Sequence, residues 1–268
     1  MPPRYGKGKA CGCDGSKIAA LGVLGKDFFL HRKDNFVALV IGHRGAPRVA
    51  RENTVAAFRA AANQGADGVE LDVRRTADGR LALVHDAHLP DGRAVVETLW
   101  DAMPAGTADL AEAMDACRGL RMVNVEIKNW PDDVDFDATL GHVDAVVAAL
   151  AARPEAERAT VVVSCFHLPS VDRVRERAPD LATAWLVLGP PDGDAEALVE
   201  EVAAHGHQAV HPHHAFVTDD LIAAAHAAGV AVNTWTCDDP DRIRWLAEVG
   251  VDAIVTNVPD VALAALGR

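Results

Sequence analysis

Residues 230–255 read Val230-Ala231-Val232-Asn233-Thr234-Trp235, then Thr236-Cys237-Asp238-Asp239, then a segment from Pro240 to Val249, Gly250, and finally Asp252-Ala253-Ile254-Val255. Val230–Trp235 and Asp252–Val255 are short and largely apolar at successive positions. A strand that is apolar on both sides is buried on both faces, the mark of a parallel sheet covered by helices. Between them Pro240–Val249 has a proline at its start, apolar residues at Ile243, Leu246 and Ala247, and a glycine just past its end. Those are helix start and stop signals. The stretch is therefore one strand, one crossover helix and the next parallel strand.

The same unit recurs upstream. Strands are expected at Phe36–Ile41, Gly68–Val73, Met122–Ile127, Thr160–Cys165, Ala182–Leu188 and Gln208–His211. Helices are expected at Asn53–Asn63, Asp109–Cys117, Ala138–Ala152, Leu168–Ala178, Asp194–Ala204, Thr218–Ala228 and Pro259–Leu266, each by apolar spacing or capping residues. Leu81–His85 is strand-like and fits as an extension of the same sheet. With it set aside there are eight β/α units, which favours an α/β fold of the (β/α)8 TIM-barrel kind in a single domain, residues 36–268. No G-x-G-x-x-G follows the first strand, against an open dinucleotide-binding sheet. Residues 1–35 read as a flexible N-terminal extension without assigned function.

The 268 residues are 50% hydrophobic and 24% charged, so neither disorder nor a collagen-like chain is possible. Lys plus Arg is 26 against 39 Asp plus Glu, a formal charge of −13. That lacks the basic field of a nucleic-acid or anionic-membrane binder. No apolar run approaches a membrane span, Ile18–Gly25 and Phe36–Gly42 being the longest. Ile18–Gly25 follows basic residues but has no cleavage site after it, so a cytoplasmic location is expected. Cys11, Cys13, Cys117, Cys165 and Cys237 are odd in number and scattered, which suits reduced thiols. Oligomeric state is not legible.

In a barrel, chemistry belongs at the C-terminal ends of the strands. There stand His43-Arg44-Gly45, Glu70-Leu71-Asp72, His85-Asp86, Glu126-Ile127-Lys128 and Asn233-Thr234-Trp235-Thr236. Glu70 and Asp72 share one face of their strand. With Glu126 expected from the neighbouring strand they make a hard oxygen set suited to one Mg²⁺ or Ca²⁺. The alternative is that Glu70 and Asp72 simply pair with Arg74 and Arg75. His43 and His85 can serve as a proton acceptor and donor. Arg44 and Lys128 suit phosphate oxygens, or else pair with Glu70 or Asp86. Glu52 and Asn53 are expected to order the first loop in a supporting role, with Asn53 or Thr54 as helix cap. Trp235 could line the substrate or belong to the core. His211, His213 and His214 read as an exposed polar loop.

These motifs resemble the glycerophosphodiester phosphodiesterase family. The resemblance runs through His43-Arg44-Gly45, Glu52-Asn53-Thr54, Phe58, the run Gly65–Val73, Thr76, Asp78-Gly79 and Val84-His85-Asp86. It continues in Val125-Glu126-Ile127-Lys128, Val163-Ser164-Cys165-Phe166, Asn233–Thr236 and Gly250–Asn257, covering residues 37 to about 262. It implies a metal-dependent barrel that cleaves small-molecule glycerophosphodiesters to an alcohol and sn-glycerol 3-phosphate. Glu70, Asp72 and Glu126 would be the metal ligands, His43 and His85 the acid/base pair, and Arg44 and Lys128 the phosphate grip. The segment from Ala87 to Arg93 is shorter than in many members, which leaves room for a lysolipid substrate. A lysophospholipase D or sphingomyelinase D-like diesterase, and a non-catalytic phosphate-binding barrel, are the alternatives.

Overall fold

The computed structural model describes residues 37–268. The readings made of residues 1–35, of Cys11 and Cys13, and of a strand start at Phe36 lie outside the described residues. The strands are β1 (Leu39–Gly42), β2 (Gly68–Arg75), β3 (Leu81–Leu83), β4 (Met122–Ile127), β5 (Val161–Cys165), β6 (Ala182–Val187), β7 (Ala209–Pro212), β8 (Ala231–Thr234) and β9 (Ala253–Thr256). Eight of them are parallel neighbours in the order β1-β9-β8-β7-β6-β5-β4-β2, and β1 also pairs with β2, so the sheet closes on itself. This is the (β/α)8 barrel.

The remaining strand, β3, is antiparallel to β2 through Val73–Leu83, Arg74–Ala82 and Arg75–Leu81. Its place has a geometric cause. β1 is short and pairs only with Gly68 and Val69, so the upper part of β2 has an edge left over. The expected strand over Leu81–His85 is thus shorter, and His85 falls in the loop beyond it.

The helices are α1 (Val55–Gln64), α2 (Leu110–Ala116), α3 (Gly141–Ala151), α4 (Glu155–Arg158), α5 (Leu168–Arg177), α6 (Ala195–His205), α7 (Asp219–Ala227), α8 (Pro240–Val249) and α9 (Pro259–Ala265). Caps set most of their starts. Thr54, Asp194, Thr218 and Asp239 each accept from a backbone N–H of the first turn, and Asp109 makes a full capping box with Glu112. No helix among the described residues is long and apolar enough to cross a membrane.

Strand periodicity sorts the side chains. Val69, Leu71 and Val73 face outward and pack with Phe58, Ala61, Leu110 and Val143. The inward positions Leu39, Ile41, Met122, Val162, Ala184, Ala209, Ala231 and Ala253 fill the barrel as one apolar plug. Above the plug the inward positions change character: Glu70, Asp72, Asn124, Ser164, His211 and Asn233 are all polar and buried. His211 was expected in an exposed loop. It is instead 2% exposed and bonded to Asn233 at 2.9 Å, because the strand carries it into the barrel before the loop begins.

Candidate active site

Register brings the acidic residues together. Asp72 on β2 lies directly beside Glu126 on β4, and Glu70 beside Asn124. Glu70, Asp72 and Glu126 each offer a carboxylate oxygen within 4.8 Å of the other two. Glu70 Oε1 and Asp72 Oδ1 are buried and accept no hydrogen bond. Buried carboxylate oxygens without donors are costly unless a cation meets them, and an all-oxygen set is the chemistry of a hard divalent ion. The residues fit such an ion.

Their electrostatics agree. Burial pushes the Glu70 carboxyl well above its ordinary value, and the neighbouring Asp72 and Glu126 add to the rise. Burial also raises Glu126. For Asp72 burial acts in the same direction, but Lys128, Arg44, His85 and Asn53 outweigh it and hold the carboxyl at about 2. The alternative pairing of these carboxylates with Arg74 and Arg75 does not occur. Arg74 is held by Asp133 and Asp135, and Arg75 faces Asp137.

The two cations lie beside the carboxylates. Arg44 Nε is 3.2 Å from Asp72, and its Nη1 donates to Glu52 at 2.9 Å. Lys128 Nζ donates to Glu126 at 2.6 Å and stands 3.5 Å from Asp72. The side-chain partners expected from sequence, Glu70 and Asp86, are replaced by these, because Glu70 instead accepts the Arg44 backbone N–H at 2.9 Å and Asp86 is taken by His85. That backbone contact needs a left-handed turn: Arg44 has φ 55° and Gly45 φ 90°. A Cβ at Gly45 would come within 2.5 Å of the Ala57 backbone, so only glycine fits. Asn53, also at φ 55°, donates to Asp72 Oδ2 at 2.8 Å and accepts the Asp72 N–H at 3.2 Å, while Thr54 caps the helix. Two strained residues on one carboxylate mark a site whose geometry is over-determined.

Each histidine has a fixed orientation. Asn257 Nδ2 donates to Asp238 at 2.9 Å, so its Oδ1 is the acceptor for His43 Nδ1–H at 2.7 Å. His43 Nε2 is left without the proton, 3.9 Å from Glu70. Burial and then the Arg44 charge keep this imidazole neutral, its pKa below 6.5. His85 Nδ1 lies 2.7 Å from the Asp86 carboxylate, and Arg74 Nε donates to the His85 carbonyl at 2.8 Å. The holding residues Asn257, Asp238 and Arg74 were not singled out from sequence. Asn257 was nonetheless visible at the end of the last strand.

The mouth opens into a cavity of about 1100 Å³. Its polar side carries Glu52, His85, Glu126 and Lys128, and its apolar side Trp130, Phe166 and Leu188. Trp235 meets Phe166 edge-on at 5.5 Å and donates its indole N–H to the His211 carbonyl at 2.7 Å. It buttresses the aromatic wall that Phe166 and Trp130 line. Sequence gave no reason to choose those two.

Fold and mouth together define a barrel enzyme with a group of three carboxylates that could hold a metal ion at its mouth. The chain belongs to the Glycerophosphoryl diester phosphodiesterase family, which matches residues 43–261. A glycerophosphodiester phosphodiesterase of Bacillus altitudinis is 29% identical over 249 residues, covering 84% of this chain and 96% of that protein. One from Caldanaerobacter subterraneus subsp. tengcongensis is 28% identical over 247 residues, with the same coverage. In fold, the chain is similar to the crystal structure of an Oleispira antarctica phosphodiesterase in complex with the product sn-glycerol-3-phosphate. The TM-score is 0.77 at 23% identity, covering 87% of this chain and 98% of that one.

Proposed function

We propose that this chain hydrolyses glycerophosphodiesters to an alcohol and sn-glycerol 3-phosphate, with residues 36–268 acting as one catalytic domain. Family membership supports the substrate class. The observation that carries the mechanism is the meeting of two buried carboxylates and a partly buried third beside a neutral, oriented His43. Glu70, Asp72 and Glu126 would hold a single Mg²⁺ or Ca²⁺, whose chemistry when bound would be to neutralise charge on the phosphoryl oxygens. Arg44 and Lys128 grip the same oxygens by charge-assisted hydrogen bonds. His43 Nε2 takes the proton of the nucleophile, either water or the neighbouring glycerol hydroxyl through a cyclic phosphate. His85, its Nδ1 turned to Asp86, gives a proton from Nε2 to the departing alcohol. Glu52 and Asn53 keep Arg44 and Asp72 in place, and Trp235 backs the wall on which the alcohol rests. A reducing, cytoplasmic setting suits the three buried free cysteines Cys117, Cys165 and Cys237.

A second reading rests on the wall. Trp130 and Leu188 are exposed at 45% and 64%, flanking a cavity larger than a glycerol head group needs. An acyl chain could lie there, which makes a lysolipid the alternative substrate. Release of glycerol 3-phosphate from glycerophosphodiesters, against release of the head-group alcohol and lysophosphatidic acid from lysolipids, across Mg²⁺, Ca²⁺ and Mn²⁺, decides between them. Turnover abolished by chelator and restored by one of these ions is the expected result. Phosphodiester binding without turnover under every ion would leave only a phosphate-binding barrel.

A further inference from the structure

On the outside of the barrel, near the N-terminal ends of β6 and β7 and so opposite the mouth, lies a second ligand cluster. Asp172 projects from α5, His205 is the last residue of α6, and His207 sits in the turn before β7. One ligand atom of each lies within 4.8 Å of the other two. His205 Nδ1 is 2.8 Å from Asp172 Oδ1, and His207 Nε2 is 3.3 Å from the same oxygen. Among the described residues, the ion-pair partners of Asp172 are these two imidazoles alone.

The environment of His207 points to a ligand. Its side chain is fully buried, yet Nε2 makes no hydrogen bond. The other ring nitrogen shows why. Gln208 Oε1 accepts from the Thr183 backbone N–H at 2.9 Å, and Gln208 Nε2 donates to the Gly206 carbonyl at 2.9 Å, so the amide orientation is set. Thr183 Oγ1 stands 3.3 Å from that same Oε1, to which it can donate, and 3.0 Å from His207 Nδ1, from which it then accepts. In that tautomer the Nε2 lone pair faces the Asp172 oxygen at 3.3 Å, a gap that a shared cation would bridge.

We propose that Asp172, His205 and His207 form a binding site for a divalent transition metal of the Zn²⁺ class. Two imidazoles and one carboxylate suit Zn²⁺, whereas Mg²⁺ and Ca²⁺ favour all-oxygen sets such as that at the mouth. Tetrahedral zinc with bonds near 2.0 Å places its ligands about 3.3 Å apart, so the His207–Asp172 separation of 3.3 Å already suits it and the 2.8 Å His205–Asp172 contact has to open. The hydrogen bond from His207 to Thr183 supplies the outer contact that fixes a ligating imidazole. Asp172 and His205 are 39% and 37% exposed, which leaves an entry path and room for water as fourth ligand. The metal ties α5 to the end of α6 and the turn that leads into β7, so its role is to hold the outer layer. This inference does not rest on the reaction at the mouth.

The test uses metal-free full-length protein carrying Glu126→Gln, which weakens the mouth as a competing site, titrated with Zn²⁺ against a chromophoric chelator. The expected result is one tight equivalent, with a rise in Tm. Adding His205→Ala, an exposed substitution, should weaken that binding about tenfold or more and remove the Tm rise. His207→Ala should do the same, and Asp172→Asn stands in for it if the buried change prevents folding. In the otherwise unaltered protein, His205→Ala should leave Mg²⁺-supported turnover as it was, which separates this site from the mouth. Zn²⁺ binding that is absent from the parent protein, or unchanged by His205→Ala, overturns the proposal.

Discussion

The two ends of strand β2 treat buried acid in opposite ways. Asp67, just before the strand, is 6% exposed and has every oxygen engaged. Val40 N–H and Arg268 Nη1 donate to Oδ2 at 2.9 and 2.7 Å, and Arg268 Nη2 and Arg121 Nη1 to Oδ1 at 2.9 and 3.2 Å. At the far end Glu70, Asp72 and Glu126 have two permanent cations among the three of them, Arg44 and Lys128, and Glu70 Oε1 and Asp72 Oδ1 accept no hydrogen bond. A matched buried charge ties elements together, whereas an excess of one sign calls for something from outside. Burial alone would not have told the two apart.

The sharpest way to break this contrast is at the mouth. His43→Ala is expected to lower kcat by about 10²–10⁴-fold with the far-UV spectrum unchanged, and His85→Ala to act in the same range. Full turnover in both variants would remove the acid/base assignment. Next in size, Glu126→Gln should weaken the activating ion by about tenfold or more, read from the metal dependence of kcat.

The mouth should also carry an electrostatic strain that the ion relieves. Glu70 keeps its proton in the folded chain to a higher pH than the roughly 4.3 of an unfolded glutamate. The folded state thus binds more protons across that interval, and its stability falls as pH rises through it. Glu70 therefore takes Tm from the metal-free protein as pH climbs above about 4.3, so Glu70→Gln should gain Tm relative to the parent over that interval, and saturating Mg²⁺ or Ca²⁺ should raise Tm. A metal-free Tm insensitive to Glu70→Gln would contradict the unmatched charge.

The other end should answer differently. Asp67→Asn is expected to cost about 2 kcal/mol, seen in the denaturation midpoint, with kcat unaffected. A loss of turnover at equal stability would undo the division between the two ends. The smallest effect is a position on the pH axis. His43 works only when neutral, and its pKa is lowered, so the acidic limb of kcat/KM should lie below pH 6.5. A limb at or above that value would contradict the lowering of His43 by burial and the Arg44 charge.

Much of this was legible in the sequence because it depends on periodicity. Met122–Ile127 and Pro240–Val249 were read to the residue, and the two-residue spacing of Glu70 and Asp72 sufficed to aim both into the barrel. Glu126 was found for the same reason, since the strand end that places it also places Lys128. The missing parts depend on contacts between distant segments. Arg74 is clasped by Asp133 and Asp135, some 60 positions away, and His43 by Asn257, 214 positions away. No local pattern encodes such partners. The alternative pairing of Arg44 with the Glu70 or Asp86 side chain does not arise, because its left-handed backbone, invisible in composition, points the main-chain N–H at Glu70 and the guanidinium at Asp72 and Glu52.

Trp130, Phe166, Trp235 and His213 form a chain of edge-to-face rings, with centroid separations of 5.4, 5.5 and 5.2 Å in turn. Trp130, at the outer end of that chain, borders the cavity and is half open to solvent. Such a ring changes its emission colour when water is displaced from it. The fold thus carries its own optical gauge of occupancy, and Trp130→Phe would supply the blank against which the signal of an entering molecule is read.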